Sequence, residues 1–334
     1  MRVRANARDI TGIVLVDKAE GYSSSQALVR VRAMYRAKRG GHTGALDPAA
    51  SGLLPICLGE AAKFSSFFLE GSKRYITTGT LGVVTETQDR EGEIVRTCPV
   101  GDAALRLPAL LSEFTGEITQ TPPIYSAVKV AGKPLYKYAR EGKSVAIPSR
   151  RIVIHELKLL NLTENTFTLE VHCSKGTYIR TLVSDIGETL GVGAYVSALR
   201  RIEVEGLPRE MHTLDELQAI VDRKPRDDDF SELDALLLPV ETAVRHLPVI
   251  ELPQNVAAPL CHGVKISLED KRLRQVRMTF SDGKLAQVQN EGRFLGVCTT
   301  ENGLLIPRRM LDVADRYFPS EKVREKSRGV EAAG

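Results

Sequence analysis

No stretch of this chain approaches the roughly 18 consecutive apolar residues of a membrane-spanning helix, so no membrane association is expected. The N-terminus, MRVRANARDITG, also lacks the apolar core of a secretory signal, which makes a cytoplasmic protein the expectation. Cysteine is sparse. The five, at 57, 98, 173, 261 and 298, form no CxxC pair and no ordered metal framework. Cys57, Cys173 and Cys298 lie among apolar or strand-like neighbours, where reduced, buried thiols are expected. Cys261 and His262 are adjacent, but no second pair completes a metal site, so none is expected. A dominant charge is missing too. The 46 Lys and Arg against 42 Asp and Glu leave +4, which permits nucleic-acid binding without establishing it. The rest, 43% hydrophobic and 26% charged over 334 residues, suits an ordinary globular protein of two domains.

What is present is most informative at residues 41–64, GHTGALDPAASGLLPICLGEAAKF. Pro48 fixes its own φ and pushes Asp47 toward extended geometry, so this single carboxylate sits in a constrained turn. Gly41, Gly44 and Gly52 permit tight turns or close approach of a ligand around it. Two roles stay open and are compatible: a reactive carboxylate, and a helix N-cap with Pro48 at the first helical position. The basic loop 36–42 leads into this segment, either as a solvated connector or as a phosphate contact.

Around it, residues 12–17 (GIVLVD) read as a short buried strand, and Ser23–Ser25 supply N-cap candidates for a helix. Lys73–Leu81 reads as a strand, and Thr166–Cys173 alternates with Phe167, Leu169, Val171 and Cys173 on one face. A helix follows, its Ile179, Leu182, Val183, Ile186 and Leu190 at 3.6-residue spacing, with Gly191 as its C-cap. Strands interrupted by helices without a repeat point to an α+β or mixed-sheet domain. Composition turns polar at 223–232. A second domain is expected from 247 to 313, where turn signals at 281–284, 290–292 and 301–303 separate short apolar runs in the manner of a small β-barrel. The charged tail, 314–334, is expected to be disordered.

The string GHTGALDPAASGLL resembles the catalytic motif of the bacterial tRNA pseudouridine-55 synthases, the TruB family. DKAEGYSSS, KRYITTGTLG, IYSAVKVAGKPLYKYAREG and HCSKGTYIRTLVSDIGETLGVGAYVSALRR continue the resemblance in one order over about the first two hundred residues. The resemblance implies a pseudouridine synthase fold: a mixed, mainly antiparallel sheet flanked by helices and loops over residues 1–246, then a PUA-like RNA-binding barrel. It implies conversion of uridine-55 in the tRNA T loop to pseudouridine by a monomer using no cofactor and no metal. Two departures stand out. Ala19 follows Asp17 and Lys18 where the family usually has proline, and Glu86 stands where it typically has aspartate.

Carried over residue by residue, the resemblance makes Asp47 the catalytic residue and pairs it with Arg180. It places Tyr75, Tyr178, Leu199 and Asp89 in the substrate pocket, with Tyr75 stacking on the target base. It sends His42 into the RNA stack where the base has left, and sets Lys18 among the RNA-binding residues. A thumb-like insertion near 122–151 is implied, with Lys129, Lys133 and Arg140 on RNA. Independently of the family, that segment interleaves cations with Tyr125, Tyr136 and Tyr138, a composition suited to phosphates and exposed bases. A noncatalytic tRNA-binding or folding protein, and a related synthase acting on another RNA, are the competing functions.

Overall fold

In a computed structural model, residues 7–277 and 281–312 are described. The chain begins with strand β1 (Gly12–Lys18), helix α1 (Ser24–Met34), β2 (Gly40–His42), β3 (Ala50–Leu58), α2 (Ser65–Glu70) and β4 (Lys73–Leu81). Next come the hairpin β5 (Val83–Thr85) and β6 (Ile94–Thr97), α3 (Ala103–Leu110), β7 (Gly116–Gln120), and the small hairpin β8 (Lys129–Val130) and β9 (Lys133–Pro134) with α4 (Leu135–Arg140). Then follow β10 (Arg150–Leu162), β11 (Thr166–Cys173), α5 (Ile179–Thr189), β12 (Ala194–Val204), β13 (His212–Thr213), α6 (Leu214–Asp222) and α7 (Ser231–Asp234). The last elements are β14 (Val249–Glu251), α8 (Gln254–Cys261), β15 (Ile266–Ser267), β16 (Leu285–Asn290), β17 (Arg293–Glu301) and β18 (Leu304–Met310).

The main sheet runs β13-β1-β3-β12-β4-β11-β10-β7, with β2 added to β3. Only β1–β13 and β3–β12 pair in parallel, so the sheet is mixed and mainly antiparallel, as expected. Its centre is covered on both faces. Along β1, Val14 and Val16 join α1, α6 and α7 in one core, while Ile13 and Leu15 join a second core on the opposite face. This is why Ile13, Val14, Leu15 and Val16 are all apolar rather than alternating. Strand β11 is covered on one face, and Phe167, Leu169, Val171 and Cys173 pack under α5 through Ile179, Leu182, Val183 and Ile186. Each such aliphatic side chain contributes about 1.5–3 kcal/mol by leaving water. Helix α1 starts at Ser23 with a complete capping box to Gln26, worth about 1 kcal/mol.

One local expectation changes. Residues 47–50 close a turn, Ala50 N–H to Asp47 C=O at 3.0 Å, that enters strand β3 rather than a helix. The N-cap role for Asp47 therefore falls away. The apolar run 53–58 is better satisfied between two cores than along one helical stripe.

The C-terminal strands form a separate five-stranded sheet, β14-β16-β17-β18-β15, curled over α8 as a half-barrel of PUA-like form. Its two hairpin loops, Glu291-Gly292 and Asn302-Gly303, have positive φ at both positions, the backbone twist that two-residue hairpins favour. This sheet shares a core with the first: Phe294, Val297 and Leu311 pack with Phe64, Phe68 and Val244, and the Phe64 and Phe294 rings meet edge-on at 5.5 Å. All five cysteines are free thiols, with Cys57, Cys173 and Cys298 buried. No helix among the described residues is long and apolar enough to cross a membrane. The tail at 314–334 lies outside the described residues.

Candidate active site

The segment between β2 and β3 is held to the fold at several points. The Ser24 hydroxyl donates to Leu46 C=O at 3.0 Å and accepts the Leu46 N–H at 2.8 Å. Pro48 C=O accepts from Gly21 N–H at 2.9 Å and from Lys18 Nζ at 3.4 Å. Arg201 Nη2 donates to Gly44 C=O at 2.8 Å. Asp47 is thus presented by a loop tied to β1, α1 and β12, and its geometry is set before any ligand arrives.

Arg180, at the second position of α5, meets this carboxylate. Its side chain is only 5% exposed, and Nε lies 3.0 Å from Asp47 Oδ2. The remaining nitrogens go elsewhere: Nη1 to Thr87 C=O (2.9 Å) and toward Asp89 Oδ2 (3.4 Å), Nη2 to Tyr125 C=O (2.9 Å). The contact with Asp47 is therefore single rather than bidentate, and the guanidinium joins three segments of chain. Asp89 is buried and held by the Thr87 hydroxyl (2.5 Å) and the Glu91 N–H (3.0 Å). A small cleft is lined by Asp47, Ala49, Ala50, Asp89, Arg180, Val196, Ser197, Ala198 and Leu199. Asp47 keeps 45% of its side-chain surface open toward it. Burial nevertheless pushes its carboxyl above the usual range; Arg180 and Lys18 oppose that shift, while Asp89 adds to it.

The sheet places the aromatic partner. Strand register sets Gly52 of β3, Arg201 of β12 and Tyr75 of β4 in one row, two residues along from the row Ala50, Leu199 and Thr77 and so on the same face. Tyr75 and Leu199 each touch the cores on both sides of this seam. Burial raises the Tyr75 phenol, and the neighbouring Arg201 guanidinium opposes it. Tyr178 is the N-cap residue of α5; its backbone is bonded both ways to the Gln120 side chain (2.7 and 3.0 Å), and Arg150 lies over its ring at 4.9 Å. It stands two residues from Arg180 and outside the cleft lining. His42, on β2, is half-buried; burial and the charge of Arg201 hold its imidazole below its ordinary value, and Nδ1 has no partner.

Lys18 is a correction. Expected to bind RNA, it is wholly buried, with Nζ donating to Ala19, Tyr22 and Pro48 carbonyls, and burial lowers it to about 8. From there it braces the Asp47 turn and offers no exposed surface to a phosphate. In the thumb-like hairpin, Lys129 is exposed, Arg140 lies near the Tyr136 ring, and Lys133 is engaged by Glu141 at 2.5 Å and by the Tyr138 ring. Glu86, the residue departing from the family pattern, accepts the Tyr125 hydroxyl at 2.5 Å at the root of this hairpin. Among the described residues no three His, Cys, Asp or Glu side chains converge as metal ligands.

Sequence reasoning passed over Arg201 and took Ser24 only as an N-cap candidate. Arg201 lies two residues beyond Leu199 on a strand and therefore shares its face, a period-2 signal that was available.

Residues 32–179 match the N-terminal domain of TruB family pseudouridylate synthase, 180–245 the C-terminal domain of tRNA pseudouridylate synthase B, and 248–311 the C-terminal region of pseudouridine synthase II TruB. A tRNA pseudouridine synthase B of Shewanella sp. (strain MR-4) is 45% identical over 324 residues, covering 95% of this chain and 99% of the relative. The chain belongs to the TruB family. One from Shewanella amazonensis is 44% identical over 316 residues, covering 93% and 98%. A chain from an H/ACA RNP bound to a substrate RNA containing 2'-deoxyuridine shares the fold, with a TM-score of 0.67 at 20% identity over 92% of this chain and 87% of its own. As a TruB family member the chain is a pseudouridine synthase. The first matched segment contains Asp47, Tyr75 and Asp89, and the second opens at Arg180.

Proposed function

We propose that this TruB family enzyme isomerises uridine-55 in the T loop of tRNA, acting in the cytoplasm as a monomer, with Asp47 as its catalytic residue. The observation that carries the reading is Asp47 held at 3.0 Å by a buried Arg180 at the mouth of a cleft bounded by Leu199. The reaction breaks the bond from the anomeric carbon to N1, turns the uracil, and joins the sugar to C5. The bonding pair leaves with N1, C5 gives up its proton to solvent, and N1 takes one up, so the net change is isomerisation with no redox step. An ionised Asp47 serves either as nucleophile at the anomeric carbon or as base toward a sugar proton. Arg180 aims the carboxylate and favours its charged form.

The target base must leave the loop before it can reach Asp47. Tyr75 supplies a face for stacking, worth about 1–3 kcal/mol. Asp89 and Tyr178 complete the surroundings by holding Arg180 and the start of α5. His42 enters the gap in the RNA stack, Lys129, Lys133 and Arg140 meet the backbone, and the module at 247–313 binds tRNA farther away.

The test is release of a hydrogen label from C5 of the target uridine, with position mapping, in tRNA incubated with the chain and no added cofactor. Asp47→Asn should abolish release while leaving binding within about tenfold, since shape is kept and charge lost. Normal release by that variant, with deamidation excluded, would remove Asp47 from the mechanism. Label release from a different RNA but not from tRNA would favour a related substrate. Binding without any release from wild type would favour a folding role.

A further inference from the structure

Arg201 is 2% exposed, and among the described residues no carboxylate lies within ion-pair distance of it. A buried cation without a counter-charge opposes folding unless its donors are well used. Here Nε donates to Leu53 C=O at 2.7 Å and Nη2 to Gly44 C=O at 2.8 Å. Two glycines clear its place. A Cβ on Gly52 would stand 2.2 Å from the Arg201 carbonyl oxygen, and one on Gly44 3.2 Å from Nη1. Across the sheet, Arg201 pairs in register with Tyr75, so the two side chains rise from neighbouring strands on one face, and its charge opposes the rise that burial causes in the Tyr75 phenol. Its charge also reaches His42 at the start of the same loop.

We propose that Arg201 is a positioning residue for the isomerisation, a fork that joins the Asp47 loop at Gly44 to the Tyr75 ring. It fixes the separation between the carboxylate and the face on which the base stacks. The guanidinium is required rather than any cation. Two carbonyls on different segments, Leu53 and Gly44, need planar, divergent donors held beside the Tyr75 strand, and an ammonium on a flexible stem is a poor match for both at once. The inference rests on the roles given above to Asp47 and Tyr75.

The test compares Arg201→Lys and Gly44→Ala with wild type, and runs Asp47→Asn in parallel. Thermal melting reports folding, tRNA affinity reports binding, and single-turnover label release at saturating enzyme reports chemistry. A positioning role predicts cooperative melting, affinity within about threefold of wild type, and a rate lowered about tenfold or more, because small misplacements of reacting groups are costly. A wild-type rate in folded Arg201→Lys overturns the proposal. So does a rate that falls only in step with affinity, which would mark general support of the fold. If Arg201→Lys does not fold, Gly44→Ala decides: it keeps the guanidinium but crowds its seat, so a wild-type rate overturns the proposal and a slowed rate with retained binding supports it. Full activity in Asp47→Asn would take down the site reading and this proposal together. Loss in Asp47→Asn with full rates in the other two variants would overturn this proposal alone.

Discussion

On the catalytic role proposed for Asp47, its protonation sets when the enzyme can act. Burial raises its carboxyl above the ordinary 3.8, and both chemical routes need the ionised form. Acidification should therefore abolish turnover through a limb whose midpoint lies above 3.8, with the rate present above the limb and lost below it. Arg180→Gln removes the cation that opposes the shift, so the limb should move further up in pH. Single-turnover label release against pH measures both, and a wild-type midpoint at or below 3.8 would contradict this electrostatic account. How readable these residues were from sequence depended on their partners. Asp47 stood out because Pro48 and the nearby glycines mark a turn. Arg180 came only through the family, since an arginine in the first turn of a helix is ordinarily solvated. Lys18 was misplaced because its three acceptors are backbone carbonyls, which no residue pattern reveals. Arg201 escaped notice for the same reason.

Helices and strands carry their own consequences. The alternation of β11 and the apolar stripe of α5 were legible because each buries one face, as the structure bears out. The N-cap role considered for Asp47 was wrong because the chain enters β3 instead, a choice made by two cores closing on the strand rather than by local propensity. The hairpin near 122–151 illustrates how contacts redistribute a charge pattern. Neutralising Lys129, Lys133 and Arg140 together should weaken tRNA binding and flatten its salt dependence, as fewer counterions are released. The single-turnover rate at saturation should also fall if this hairpin holds the extruded base. Within the three, Lys133 is already satisfied by Glu141 and Tyr138, while Lys129 is exposed without an ion pair among the described residues. Lys129→Ala should therefore reduce the salt slope by close to the ~0.7–0.9 expected for one phosphate contact, and Lys133→Ala by less. Affinity measured across a salt series checks the order; equal losses would mean that the Glu141 pair opens on binding.

Taken whole, the molecule is less divisible than its two sheets suggest. Phe294 of β17 packs against Phe64, which belongs to the first sheet's surroundings, and Glu60 holds the Asp312 N–H at 2.7 Å while also pairing with Arg39 and Lys63. Phe294→Ala should destabilise the protein by about 3–5 kcal/mol, as for other buried phenylalanines. Calorimetry should show one cooperative transition moving down. Two transitions, with only the later part of the chain affected, would show independent units. A truncation before residue 247 would strip Phe294, Val297 and Leu311 from the core that holds Phe64, so its activity is informative only once its melting is known. Glu60 follows β3 directly, and its partner Arg39 precedes β2, so the strands flanking the Asp47 loop are bolted to the same plate as the distal sheet. On the RNA contacts proposed above, this shared plate would hold the two ends as the jaws of a caliper. An RNA would be accepted by span as well as by the letters in its loop, and one holding the right loop at the wrong distance would be turned away.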